Sequence, residues 1–217
     1  MSAYELLTLK RLYLRKMCGE CFCEAISLQP KLAPNKLETL GGGDLRSSIM
    51  QCSMCGHAKH TTSRIPGIIN PQSPLCFITQ TPLIADSTNA VFLQNKSAQM
   101  LQKIIANVFC LPLNNVSILS LIKCPSQTSP SDDEVSACIG FLHAQMAKIA
   151  PKVCVVFGKE CLAHLLGESV IDTRHYGRIL WHNTHNFLPT YSLNEVVRNP
   201  SLKPEVMQHL QIAKGML

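Results

Sequence analysis

The sequence predicts an α/β fold in three layers, with helices on both sides of a short, mainly parallel four-stranded sheet. Two observations carry this expectation. Short apolar runs alternate with helical stretches along the chain. The runs are continuously apolar rather than alternating with polar residues, as strands buried on both faces must be.

L-C-F-I-T-Q (75–80) is the first strand, and it ends in polar residues. A helix follows from about Ser97 to Phe109. V-S-I-L-S-L (116–121) is the second strand. Ser131 opens a helix that runs to about Ile149, with Asp132, Asp133 and Glu134 in the first turn, where carboxylates suit the helix dipole. Pro151 breaks it, and V-C-V-V-F-G (153–158) is the third strand. A short helix spans Glu160 to Leu166, N-F-L-P-T-Y (186–191) is the fourth strand, and a helix from Leu202 to Ala213 closes the chain. Ahead of this core, residues 4–16 read as a leucine-rich helix mixed with basic residues, and 28–45 as a Pro- and Gly-rich linker. The chain thus divides into an N-terminal extension and linker, 1–45, and one globular domain, 46–217. Ligands of such sheets bind beyond the carboxyl ends of the strands. That singles out Gln80 to Asp86, Ser120 to Cys124, Gly158, and Thr190 to Asn194.

Of the 217 residues, 46% are hydrophobic, enough for a real core, while only 16% are charged. The net charge of +6 permits nucleic-acid binding without demonstrating it. The cysteine count of eleven is odd, the chain is long, and M-S-A-Y-E-L-L-T-L-K-R is no signal peptide. A secreted disulfide scaffold is therefore rejected in favour of a reducing, cytoplasmic compartment. No apolar run approaches the about 20 residues that cross a bilayer, so no membrane association is expected.

Four cysteines stand apart. Cys52 and Cys55 form C-S-M-C, Cys124 lies in L-I-K-C-P just past the second strand, and Cys138 lies in the first turns of the following helix. Thiolates so far apart in sequence converge to hold a metal or cluster, with four completing a cubane and zinc as the lesser alternative. The opposing reading is ordinary burial, since cysteine is among the most buried residue types.

The stretch around them carries a resemblance. P-K-V-C-V-V-F-G-K-E-C-L-A-H-L-L-G (151–167) resembles the P-K-V-I-V-A-L-G-x-x-A-x-x-x-L-L-G of the iron–sulfur, family-four uracil-DNA glycosylases. C-S-M-C followed by S-R-I-P-G (63–67), S-L-I-K-C-P-S (120–126) and T-Y-S-L-N-E-V-V-R-N-P (190–200) resemble further motifs of that family, in the same order. The resemblance covers roughly Leu37 to the C-terminus. It implies the glycosylase sandwich, a [4Fe-4S] cluster on Cys52, Cys55, Cys124 and Cys138, and DNA, single- or double-stranded and uracil-containing, as the partner. The protein is expected to act as a monomer.

The family's catalytic positions hold other residues. Its G-E-A-P-G reads T-Q-T-P-L (79–83), so Gln80 replaces the carboxylate that positions the attacking water. An amide holds a water by hydrogen bonds but neither accepts its proton nor supplies charge. Leu83 replaces a glycine and fills space where backbone approaches the DNA. Ser120 stands at the position of the base-reading asparagine, and Ser192 at that of the histidine that steadies the departing base. Phe92 matches the aromatic on which a flipped base stacks. Asp86 is the nearest carboxylate available as a replacement. Each loss is worth about 10²-fold in rate if the groups act separately.

Arg64, Lys123 and Arg198 are expected phosphate contacts, with Arg174 and Arg178 beside them. Glu195, in the DNA-facing loop, opposes such contact. Cys18, Cys21 and Cys23, with His57 or His60, form a weaker candidate metal set. W-H-N-T-H (181–185) reads as surface histidines in a turn before a strand. The leucine-rich extension is a candidate site for a protein partner. Three functions compete: a divergent glycosylase acting on uracil or another damaged base, a non-catalytic iron–sulfur DNA-binding protein, and an adaptor. Salt-dependent DNA binding separates the first two from the third.

Overall fold

The computed structural model describes residues 44–61, 63–126, 129–167 and 172–217. The expected helix over 4–16, the linker, and Cys18, Cys21 and Cys23 lie outside the described residues. Contacts divide the chain into Met1–Glu38 and Thr39–Leu217, and the described residues all belong to the second unit.

Four strands run parallel: β1 (Leu75–Thr79), β4 (Val116–Ser120), β5 (Val153–Phe157) and β7 (His185–Thr190). A fifth, β6 (Leu180–His182), adds antiparallel to the edge of β7, giving the order β4-β1-β5-β7-β6. The four expected strands are therefore present, and the sheet has one more than expected. A separate hairpin pairs β2 (Ile84–Asp86) with β3 (Val91–Phe92).

Every residue of β1, β4 and β5 is buried, as their unbroken apolar sequences require. Leu75, Phe77, Val155, Phe157 and Leu188 share one core with α3 (Lys96–Lys103) and α7 (Lys203–Gly215), through Leu101, Val206 and Leu210. In that core Phe77 stacks on Phe157 and meets Phe109 edge-on. The alternate residues Cys76, Ile78, Cys154 and Val156 are also fully buried. Two further helices, α4 (Asp132–Met146) and α5 (Lys159–Leu166), contact one another. α3 continues as a π-helical segment, Ile104–Phe109, that ends at Cys110 in the left-handed region.

Two short helices precede the sheet, α1 (Leu45–Met50) and α2 (Gly56–His60), and α6 (Leu193–Arg198) follows β7 directly. Gly67 has to be glycine: its φ is +89°, and a Cβ there would collide with the Ile118 carbonyl oxygen. This close approach lets Ile68 bridge to Ile118 and lays the segment after the Cys52–Cys55 turn along β4.

Candidate functional site

The parallel strands all end on one side, and a cleft of about 750 Å³ opens there. Thr79 and Gln80 line it from the end of β1, Phe157 and Gly158 from β5, and Ser192, Leu193 and Asn194 from the β7–α6 junction. Its charged lining consists of Asp132, Glu160 and Glu195 against Arg198, with His164 Nε2 3.4 Å from Asp132 Oδ1. This is where ligands of parallel α/β sheets bind.

Of the expected catalytic residues, Gln80 and Ser192 line this cleft and Asp86 does not. The Asp86 carboxylate accepts the Thr88 N–H at 2.7 Å and Asn89 Nδ2 at 2.6 Å, holding the β2–β3 turn. Those bonds, the Thr88 N–H first, keep its carboxyl below the usual carboxylate range. Asp86 thus holds the β2–β3 turn. Ser192 is the N-cap of α6. Its Oγ accepts the Glu195 N–H, and Glu195 Oε2 accepts both the Ser192 N–H and its hydroxyl. The S-x-x-E pattern of a capping box was readable at 192–195.

The two expected base-pocket residues do not line the cleft. Phe92 is buried in the core with Leu83, and neither Phe92 nor Ser120 lines the cleft. Ser120 instead faces a recess of about 10 Å³ walled by Leu83, Thr79, Pro82 and Ile118. Leu83, 8% exposed, borders both the recess and the cleft.

Two of the expected phosphate contacts have structural partners. Lys123 is 1% exposed, and its ammonium donates to the Ser120 carbonyl and to Gln145 Oε1, each at 2.6 Å. Its ammonium is enclosed rather than exposed to the cleft. Burial pulls its pKa down to about 8, opposed by Cys138, Cys76 and Cys161. Arg64 donates from Nε to the Cys52 carbonyl at 2.6 Å and from its guanidinium to the Ala58 carbonyl at 2.7 Å, bracing the cysteine turn. Arg174 pairs with Asp172 at 2.6 Å on the exposed surface. Arg198 is exposed at the cleft, in the last turn of α6.

The four singled-out cysteines come from three segments: the turn after α1, the end of β4 and the start of α4. Cys52 and Cys55, half-buried, follow α1; Cys124 and Cys138 are buried. Burial pushes the Cys124 thiol up to about 11, and the nearby Cys55, Cys138 and Cys52 add to the effect. Burial likewise raises Cys138 to about 11, with Cys52 and Cys55 again among its neighbours. The turn is fastened to the sheet and to α4 at several points. Ile65 N–H donates to the Lys123 carbonyl at 2.6 Å, Gln145 Nε2 to the Pro66 carbonyl at 2.5 Å, and His57 Nδ1 meets Glu134 Oε1 at 3.0 Å. Among the described residues, no three Cys, His, Asp or Glu side chains stand close enough to hold a single metal ion.

The order β4-β1-β5-β7 with a strand-end cleft accords with a family-level match. The model of the uracil DNA glycosylase superfamily matches residues 66–211. The chain belongs to the uracil DNA glycosylase superfamily. Relatives in that superfamily include the type-4 uracil-DNA glycosylase of Thermotoga maritima, 27% identical over 176 residues, which span 78% of this chain and 91% of that one. The type-4 uracil-DNA glycosylases of Sulfurisphaera tokodaii and Saccharolobus solfataricus are 22% and 21% identical, over 73% and 80% of this chain and 77% and 85% of theirs.

Proposed function

We propose that this chain is a DNA-repair-type, uracil-DNA glycosylase-like protein that binds DNA at the strand-end cleft without excising uracil, and that it carries a [4Fe-4S] cluster as a structural element. The observation that carries the reading is Leu83. Excision requires a base withdrawn from the stack into an enclosed pocket, and Leu83, bulkier than the glycine of the related motif, lines both the strand-end cleft and the recess beside Ser120. The groups around it agree. Gln80 has no charge to lend an attacking water, and the Ser192 hydroxyl is engaged by Glu195.

The cluster reading rests on two features. Four thiols from three separate segments influence one another electrostatically, and two of them are buried. The N-terminal extension, residues 1–45, is the proposed docking segment for a protein partner.

Fluorescence anisotropy with single-stranded and duplex oligonucleotides, titrated across salt, tests the DNA reading. Binding that weakens linearly in log salt supports it. Absence of binding at low salt would leave an adaptor on the same fold.

A second reading is favoured by one observation. The open cleft contains Glu160 and His164, one helical turn apart on α5, with Asp132 of α4 paired to His164. These groups equip the cleft for proton transfer on a ligand held there rather than in the recess beside Ser120.

A further inference from the structure

The two edges of the sheet are finished differently. Beyond β4, Ile68 and Ile118 exchange N–H···O=C bonds of 2.9 Å, and the Asn70 N–H reaches Ser117 Oγ at 3.0 Å, so that edge is covered. At the other edge, among the described residues, no strand lies beyond β6. The β6–β7 hairpin fixes which backbone groups are left over. His182 pairs with His185 across the two-residue turn Asn183–Thr184, which makes theirs a hydrogen-bonded pair, and Leu180 with Phe187 is the next of that kind. Trp181, opposite Asn186, is the intervening pair without such bonds, so its N–H and C=O point away from β7. Proteins shield an open edge with a charged side chain, a proline or a bulge. Leu180, Trp181 and His182 include none of these. Instead Trp181 is 68% exposed and Ile179, at the alternate position before it, is 36% exposed.

We propose that β6 is the interface of a homodimer, in which the β6 strands of two copies pair antiparallel about a two-fold axis at Trp181. A second copy suits this edge because one strand supplies both the free donor and the free acceptor, and a two-fold axis matches each to the other. The strand is short enough to leave one register that pairs all of it: Trp181 with its counterpart, exchanging both N–H···O=C bonds, and Leu180 with His182 on either side. Moving the axis to Leu180 sets Arg178 against His182. Moving it to His182 sets Trp181 against Asn183, whose left-handed backbone, φ 53°, ends the strand. With the axis at Trp181, Arg178 falls opposite Thr184, and no like charges face one another. The two indoles then lie side by side, each within diagonal reach of the partner's Ile179. Because β6 runs antiparallel to β7, the pairing turns the parallel strands of the two copies in opposite directions. The chain expected to act alone would carry two strand-end clefts per particle, at opposite ends of one continuous sheet.

The test uses the full chain. Trp181 is its one tryptophan, so emission and acrylamide quenching read this edge alone, while sedimentation equilibrium across protein concentration gives the mass. The expected result is a rise from one chain to two, with a blue shift and weaker quenching along the same curve. Trp181→Lys, which sets like charges opposite one another at an exposed position, should raise the dissociation midpoint by at least about tenfold. Trp181→Ala removes the indole and keeps the N–H. Trp181→Pro also removes the outward N–H while sparing the bonds to β7, and it should dimerise more weakly than Trp181→Ala. Equal losses in those two would mean an apolar contact without strand pairing, and would overturn the inference. Should Trp181→Pro not fold, the agreement of the mass and fluorescence curves, together with Trp181→Lys, decides alone. A single-chain mass at every concentration would overturn the inference, as would a dimer whose tryptophan stays exposed. A single-stranded oligonucleotide that quenches Trp181 where no dimer forms would also overturn it, and would assign this face to base stacking.

Discussion

Ser192 and Glu195 cap one another: the Ser192 Oγ accepts the Glu195 N–H at 3.2 Å while Glu195 Oε2 takes the Ser192 N–H at 2.8 Å. This reciprocal cap starts α6 at the edge of the cleft, and it gives the serine a structural task. Ser192→Ala should lower stability by about 1 kcal/mol, read as a shift of the urea midpoint at unchanged m-value, while DNA affinity stays the same. Ser192→Asp, which also caps, should hold the midpoint. A loss of affinity in the alanine variant larger than the loss of stability would show the hydroxyl in contact with the ligand.

Gly67 should tolerate no side chain. With φ at +89° and the Ile118 carbonyl oxygen occupying the space a methyl would need, Gly67→Ala forces backbone apart. The expected cost is more than about 2 kcal/mol, measured by thermal or urea unfolding. Because the displaced segment follows Cys55, the same variant should retain less iron.

Stability should fall on mild acidification. Burial lowers the pKa of His143 and of His209 below the ordinary 6.5, with His182 adding to the first and Glu205 opposing the second. Each is neutral in the fold at a pH where the unfolded chain already binds the proton. The unfolded state therefore gains protons first as pH drops through 6.5, and their contribution is full above that value and lost as pH falls toward the depressed folded values. Urea midpoints measured from neutral to mildly acidic pH should decline, and His209→Gln should flatten part of the decline. A midpoint that rises on acidification would contradict the sign.

Arg198 and Lys123 should behave oppositely in DNA binding. Arg198 is exposed at the cleft, so Arg198→Ala should weaken binding across sequences and reduce the salt slope by about 1. Lys123 is enclosed, and Lys123→Met should leave the salt slope unchanged. Anisotropy titrations at several salt concentrations distinguish the two.

The central sheet was legible because buried parallel strands are unbroken apolar runs, and V-C-V-V-F at β5 announces itself without context. β6 was not, because Leu180, Trp181 and His182 form a three-residue edge with no apolar pattern. Its clue was Asn183, which takes the left-handed conformation between the paired His182 and His185, a hairpin signal rather than a loose turn. The cap at Ser192 was hidden by comparison with a histidine; read locally, S-x-x-E states its purpose. The enclosure of Lys123 was not legible for a different reason. Its burial depends on Gln145, 22 residues away, and on the Cys52–Cys55 turn folding back onto α4. No local pattern encodes such an enclosure. Leu83 was half legible: its bulk was evident, while its position bordering both recess and cleft needed the packing of β2 and β3.

The claim that Leu83 bars excision is tested most directly by single-turnover excision, with protein in excess over a single-stranded uracil oligonucleotide. The unaltered chain and a Gln80→Glu, Ser192→His variant should leave the oligonucleotide intact. Adding Leu83→Gly to that pair should produce abasic product. Excision by the unaltered chain, abolished by Phe92→Ala, would contradict the account, since it would show a base reaching a pocket that Leu83 is held to bar.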